Sequence, residues 1–386
     1  MIKRILIFTY PFLIISLFFY SYTQVDLNLT LSTNPILISV QRFFQNIGYF
    51  QRSLSTAIFV SILFFLFLFY LLFLKFANEK SITRRQVWLL ILATSLILTF
   101  SYNAFSYDLF NYIFDAKILT HYHQNPYLHK ALDYPGDSML NFMRWTHRTY
   151  PYGPTWLGLT VPISFLGLKF VPTLFLFKAL GTASFLGAVY FIGKILRKIS
   201  PQNEIFGLVF FGLSPLVLIE SLVSAHLDIV MMFFAVLAFY LLIGKKYFTS
   251  FISLVFSIGI KFATLFLLPV FGWVWFKKSK VDWEKMIFYS IILMSASVIA
   301  ASFRTNFQPW YLISVLPFAA LLSKKYYVLI PSIVLSFTSL LIYVPFLYIG
   351  DWDPPIPMIL LGITTTGIAA SILGVLGFKM IKYNHV

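Results

Sequence analysis

Residues 54–74 read LSTAIFVSILFFLFLFYLLFL, and no charge interrupts them before Lys75. A helix rises about 1.5 Å per residue, so this run alone reaches across the roughly 30 Å hydrocarbon layer of a bilayer. The rest of the chain has the same character. Of its 386 residues, 59% are hydrophobic and 20% aromatic, with 45 Phe and 23 Tyr, and the mean hydropathy is +0.84. Only 11% are charged, against about 25% in an ordinary soluble domain. No water-soluble core of this length could cover so much apolar surface, and a disordered chain is excluded for the same reason. The composition specifies an all-α, polytopic membrane bundle, one domain over residues 1–386. Cysteine is absent, which removes disulfides, thiolate metal sites and a cysteine nucleophile.

The formal charge is +16, from 29 Lys+Arg against 13 Asp+Glu. In a soluble protein that excess would suggest nucleic acid. Here the basic residues cluster in short connections between apolar runs, as the positive-inside rule requires, so no nucleic-acid partner is expected. The inner clusters are Lys3-Arg4, Lys75/Lys80/Arg84/Arg85, Lys194/Arg197/Lys198, Lys245-Lys246, Lys277/Lys278/Lys280/Lys285, Lys324-Lys325 and Lys379/Lys382. Most carboxylates lie elsewhere, which makes the outer side the acidic and chemically richer one.

A topology that obeys this rule begins with residues 4–22 running outward; no small-residue cleavage pattern follows Tyr22, so they read as a span rather than a signal peptide. Residues 23–52 form an outer loop, 54–74 return and 87–103 go out again. Residues 154–169 are apolar but short, and keeping Lys194 inside makes them interfacial or re-entrant. Runs at 171–195, 204–222, 228–243, 247–260 with 262–276, 285–303, 309–322, 326–349 and 357–378 complete about 12 crossings. Both termini are then cytoplasmic.

The longest polar stretch, residues 104–153, is an extracytoplasmic loop between early spans that should carry short juxtamembrane helices. It holds four of the 6 histidines and opens Tyr107-Asp108-Leu109-Phe110-Asn111-Tyr112. Asp108 stands where an outward helix meets the loop, and partial desolvation there suits a proton acceptor; the plainer alternative is a helix cap. Asp115 follows two helical turns later on the same face, although Lys117 and the nearby histidines offer it ordinary partners. His121, His123 and His129 lack the helical spacing of a zinc site, and no metal ligands are assigned. A divalent cation, magnesium or manganese, held between carboxylates and a substrate phosphate stays open as a cofactor.

Three further outposts lie in apolar surroundings, where ionisable groups are costly and functional by default. Glu220, His226 and Asp228 fall within nine residues, and His226 and Asp228 could simply pair with each other. Lys261 and Arg304 are isolated cations at outer ends. A buried ammonium needs an anion and a guanidinium grips phosphate in a bidentate fashion, so together they could neutralise a leaving phosphate; snorkelling is the plainer account of the lysine.

Five stretches in order resemble the glycosyltransferase C superfamily, in particular its polyprenyl-phosphate-mannose-dependent mannosyltransferase branch. They are the Tyr107-Asp108-x3-Tyr112 opening with its Tyr152-Gly153-Pro154 close, Ser214-Pro215 through Glu220, His226-x-Asp228, Lys261-Phe262-Ala263-Thr264 through Pro269, and Gln308-Pro309-Trp310-Tyr311 through Pro317. The likeness covers roughly residues 100–320. It implies an integral membrane glycosyltransferase at the outer face of the cell membrane. Such an enzyme passes a hexose, most simply mannose, from a polyprenyl-phosphate donor to a lipid-linked or glycan acceptor, with inversion. The resemblance makes Asp108 the general base and His226 its catalytic companion. Asp115, Tyr112, Asp228, Lys261, Arg304 and Tyr152 are the expected substrate contacts, with loop aromatics (Tyr112, Tyr127, Trp145, Tyr152) stacking on sugar faces. The turn here reads Ala225-His226-Leu227-Asp228 where the branch has a Gly-His-Asn-Asp pattern. The rival readings are a transporter or flippase of lipid-linked sugars and an outer-face polysaccharide ligase or polymerase.

Overall fold

The structure is a computed structural model and describes residues 2–167, 169–277 and 281–384. Lys278 and Lys280 of the expected inner cluster lie outside the described residues. Helices in chain order are α1 Ile2–Ser21, α2 Pro35–Gln45, α3 Arg52–Asn78, α4 Arg84–Thr99, α5 Asp108–Thr120, α6 Pro154–Gly167, α7 Phe170–Ile199, α8 Glu204–Gly212, α9 Pro215–Leu218, α10 Asp228–Ile243, α11 Tyr247–Ile258, α12 Leu268–Phe276, α13 Trp283–Thr305, α14 Leu316–Leu321, α15 Tyr326–Leu340, α16 Tyr343–Ile349 and α17 Ile356–Asn384. Among the described residues the only β pairing is an isolated bridge between Lys130 and Thr149.

Spans that are apolar on every side still have two kinds of face. On α1, Tyr10, Ile14 and Leu17 are buried in the bundle while Phe8, Phe12 and Phe19 stay exposed. An outer face of that kind is stable only against hydrocarbon. Six helical segments are long and apolar enough to cross a membrane: Lys3–Gln24, Arg52–Asn78, Phe170–Ile199, Trp283–Thr305, Tyr326–Ile349 and Ile356–Lys382. The bent pair Pro201–Gly212 with Pro215–Val223, broken by 50°, is either a broken seventh span or a re-entrant loop. The twelve expected crossings included α4, α10, α11, α12 and α14, which are shorter than a full span, so the count of twelve does not follow from helix length.

Residues 204–222 were expected as one span, and Pro215 explains why the helix there is bent. Proline brings no amide hydrogen, and the chain turns at Leu213 and Ser214. The Phe210 carbonyl, which a continuous helix would have satisfied, accepts instead from the Tyr70 hydroxyl of α3 at 2.8 Å. After the bend the chain runs through a π-helical turn, Ile219–Val223.

Small polar residues join the helices that frame the site. Ser250, Ser253 and Ser257 lie on one face of α11 and donate to the carbonyls of Ala238, Phe234 and Met231 on α10, each at 2.8 Å. Hydroxyls of this kind hold neighbouring helices together where lipid offers no hydrophobic drive to association. They fix the turn after α11, on which Gly259 and Lys261 stand.

Candidate active site

Asp108 is the first residue of α5, and its amide donates to Ser106 Oγ at 3.1 Å. Its carboxylate does not serve as a helix cap. Oδ2 lies 3.7 Å from His226 Nδ1 and Oδ1 lies 3.9 Å from an Arg148 guanidinium nitrogen. Behind the imidazole, His226 Nε2 stands 3.3 Å from Glu220 Oε2, and Glu220 Oε1 accepts from the Tyr343 hydroxyl at 2.8 Å. The result is a line of Asp108, His226, Glu220 and Tyr343 that begins at the loop and ends inside the bundle. Glu220 and His226 are wholly buried, and only Asp108 keeps some exposure.

Local backbone explains this placement. The π-helical turn carries Glu220, and the His226 amide donates to the Glu220 carbonyl at 3.0 Å. Ala225 takes a left-handed conformation, φ 57°, which swings the next side chain back toward Glu220. Both π turns and left-handed non-glycine residues gather at functional sites. Trp310 stacks on the imidazole with ring centroids 4.0 Å apart and 17° between planes.

The second arm is the turn after α11. Lys261 Nζ pairs with Asp228 Oδ1 at 2.8 Å and lies over the Tyr311 ring at 5.1 Å. Lys261 was expected to meet a substrate phosphate or to snorkel to the interface, and Asp228 was expected to pair with His226 or to orient substrate. The structure pairs the two with each other instead, and His226 turns to Asp108 and Glu220. The close of the outer loop rests on this turn: Gly153 N donates to Ile260 O at 3.1 Å and Thr155 N to Gly259 O at 2.9 Å.

Tyr112 is buried, edge-on to Tyr152 and to Trp156, with both centroid distances 5.4 Å. It offers no face to a sugar, contrary to the stacking role expected of it; its hydroxyl lies in the field of Asp108 and Asp228. Tyr152 is half-buried, while Tyr127 and Trp145 are exposed. Asp115 is half-buried further along α5. Burial pushes its carboxyl up to about 7, Arg148 opposes the shift and the Asp108 charge adds to it. Arg304 does not join the group: it is exposed at the end of α13 and makes no ion pair among the described residues. Its neighbour Thr305 bonds the Tyr311 hydroxyl at 2.6 Å.

The loop histidines stay apart from this line. His121 lies against the Tyr122 ring, and His129 pairs with Asp133 at 3.6 Å. Among the described residues no group of three or more His, Asp or Glu side chains is arranged to hold a metal ion. Loop order comes from an ion pair instead. Asp137 accepts from Lys117, Tyr122 and the Met139 amide, and these bonds outweigh burial and hold its carboxyl below the usual range.

The sequence reading gave no role to Arg148, Trp310, Tyr343 or Lys178. The last was visible, being the only charge between Lys169 and Lys194 in an apolar run. It is buried on α7 and donates to Ser101 Oγ at 2.9 Å and Val223 O at 3.1 Å, tying the start of the outer loop to the π turn. Tyr343 had no sequence signal, since its partner lies 123 residues away.

The fold is that of a helical membrane protein, with a buried line of acid, imidazole and acid that opens at one end beside an ion-paired lysine. Residues 27–277 match the family described as alpha-(1->6)-mannopyranosyltransferase, N-terminal domain, and the chain belongs to that family of mannosyltransferases of the glycosyltransferase C type. No curated protein and no solved structure matches the chain.

Proposed function

We propose that the chain is an integral membrane mannosyltransferase that takes mannose from a polyprenyl-phosphate carrier and passes it to a lipid-linked or glycan acceptor at the extracytoplasmic face. The observation that carries this reading is the Asp108–His226–Glu220 line, in which the outermost carboxylate alone keeps access to the loop side. Asp108 takes the proton from the acceptor hydroxyl as that oxygen attacks the anomeric carbon. The bond from that carbon to the phosphate oxygen breaks on the opposite face, and its electron pair leaves with the phosphate. General base assistance of this kind contributes about 10²- to 10⁴-fold.

Each neighbour has a task in this scheme. His226, between two carboxylates and stacked on Trp310, fixes the orientation of Asp108 and shares the proton it gains. Arg148 and Lys261 meet the charge that develops on the phosphate, which is stabilisation by groups already in place. Arg304 steers the anionic donor from further out. Asp115 and Tyr152 hold sugar hydroxyls. Any divalent cation enters with the donor phosphate, because Asp108 and Asp228 already have partners. The family description specifies an α-(1->6) bond. An inverting displacement that makes an α bond needs a donor sugar linked β to phosphate, and the attacking oxygen is then a primary O6 hydroxyl.

The test is to incubate purified protein with polyprenyl-phosphate mannose, polyprenyl-phosphate glucose or a nucleotide-linked mannose. Only the first should be consumed, with release of polyprenyl phosphate. Asp108→Asn should lower the rate by about 10²- to 10⁴-fold while leaving the melting temperature unchanged. A fully active Asp108→Asn, or consumption of the nucleotide sugar alone, overturns the proposal.

A further inference from the structure

Helix α2 turns its polar side to the protein and its apolar side outward. From the inner side, Gln41 accepts from the Leu31 amide at 3.1 Å and donates to the Leu29 carbonyl at 2.6 Å. Gln45, one turn on, donates to the carbonyls of Val25 and Asp26 at 3.2 and 3.1 Å. These bonds pin the helix to the loop that follows α1. The opposite side carries Ile36, Leu37, Val40 and Phe43, which recur at helical spacing, and Ile36 is 73% and Phe43 63% exposed. Water does not tolerate such a stripe on a helix held by its polar face.

We infer that α2 is a membrane-seated helix lying in the outer leaflet, with its Ile36–Phe43 face in contact with phospholipid acyl chains. Continuity decides the partner. Phe44 at the end of α2 stacks on Phe19 of α1, with ring centroids 5.9 Å apart, and Phe12 of α1, Phe50 of the turn after α2 and Leu54 of α3 are exposed as well. Between these helices lies an open groove of about 470 Å³ lined by Leu13, Phe19, Phe44, Ile47, Ile58 and Phe65, room for a lipid chain. Arg42 is exposed on the flank of the stripe, within its reach of a lipid phosphate.

The seat has a consequence for the loop above it. Gln45 holds the backbone of Asp26, and Asp26 Oδ2 accepts from the Tyr107 hydroxyl at 3.0 Å, one residue before Asp108. The bilayer therefore sets the depth of the loop opening through α2. That consequence rests on Asp108 being the base; the seat itself does not.

The absence of cysteine makes the test direct. Val40→Cys, Phe43→Cys and, on the exposed outer loop, Gln124→Cys are labelled separately with a bimane fluorophore and reconstituted in phosphatidylcholine–phosphatidylglycerol vesicles containing nitroxide-labelled lipid. Fluorescence at positions 40 and 43 should be blue-shifted and quenched by the shallow nitroxide, with no quenching at 124. Two probes on one stripe guard against a single misfolded variant. Quenching at 40 and 43 no greater than at 124 overturns the inference, and so does disulfide cross-linking of two chains through position 40. Neither readout depends on sugar transfer, so it can fail while the enzymatic reading stands.

Discussion

Asp115 shows how the loop changes the chemistry of one residue. Its carboxyl titrates near 3.8 in an unfolded chain and near 7 in the folded one, chiefly because burial disfavours the charged form. Between those values the folded chain holds more protons than the unfolded chain, so stability falls as pH rises through that window and is level beyond it. Asp115→Asn removes the titration. Melting temperatures of the variant and the wild-type protein should agree near pH 4, and the variant should gain by of order 1 kcal/mol by pH 8, the full shift being reduced by the partial exposure of the side chain. Parallel melting curves across that range would mean that Asp115 is solvated. His226 differs in that it is wholly buried and each ring nitrogen faces a carboxylate, Asp108 on one side and Glu220 on the other. Among single residues, the sequence exposed those with charge in apolar surroundings. It did not show which charge met which, and the Asp228–Lys261 and Asp108–His226 pairs depend on turns that hydropathy does not encode.

The closing end of the outer loop offers the sharpest test of a single element. A Cβ built on Gly153 would lie 2.2 Å from the Gly259 carbonyl oxygen, and one on Gly259 would lie 2.1 Å from Thr155 Oγ1. The two glycines let the loop's end and the turn before Lys261 touch backbone to backbone. Gly153→Ala must push them apart, cutting the Gly153–Ile260 and Thr155–Gly259 hydrogen bonds, and should cost about 2–3 kcal/mol in thermal stability as well as most of the activity. Gly158→Ala, in α6 with open space where its Cβ would go, is the control and should be neutral or slightly stabilising. Equal melting temperatures for the two variants would show that the contact is not made. Elements such as these were only partly legible. The strongly apolar helices α1, α3, α7, α13 and α17 follow from run length alone. The bend at Pro215 was signalled by the proline, but hydropathy cannot see a break whose freed carbonyl is satisfied by a distant Tyr70. The same holds for the π turn at Ile219–Val223 and the 3₁₀ turns Phe262–Leu267 and Pro309–Ser314, which keep an apolar sequence while changing where side chains point.

For the whole molecule, charge and hydropathy agree on a direction. Arg84 of α4 and Arg197 of α7 both reach Glu204 Oε1 of α8, each at 3.1 Å, so three helix ends meet at one carboxylate among the basic clusters. Lys324 donates to Asn78 and rests on the Phe206 ring, adding the approach to α15 to the same end. The Asp108 line and the Lys261 turn belong to the opposite side of the charge distribution. Helices such as α4 and α10 are each 16 residues long, about 24 Å by helical rise, which is less than the roughly 30 Å hydrocarbon layer. A count of crossings drawn from hydropathy alone is therefore weaker than a statement of which connections share a side. That statement can be checked, because the chain has no cysteine. Single cysteines at Gln124 in the loop and Lys245 after α10 should react oppositely in intact cells: Gln124→Cys with a membrane-impermeant maleimide, Lys245→Cys only after permeabilisation. If both react from outside, α7 through α10 cross an unexpected number of times, and the basic ends lie on the same side as Asp108. That arrangement would break the positive-inside rule on which the outer assignment of Asp108 depends. If only Gln124→Cys reacts, the Asp108 line opens where a donor hanging from the outer leaflet can present its phosphate to Lys261.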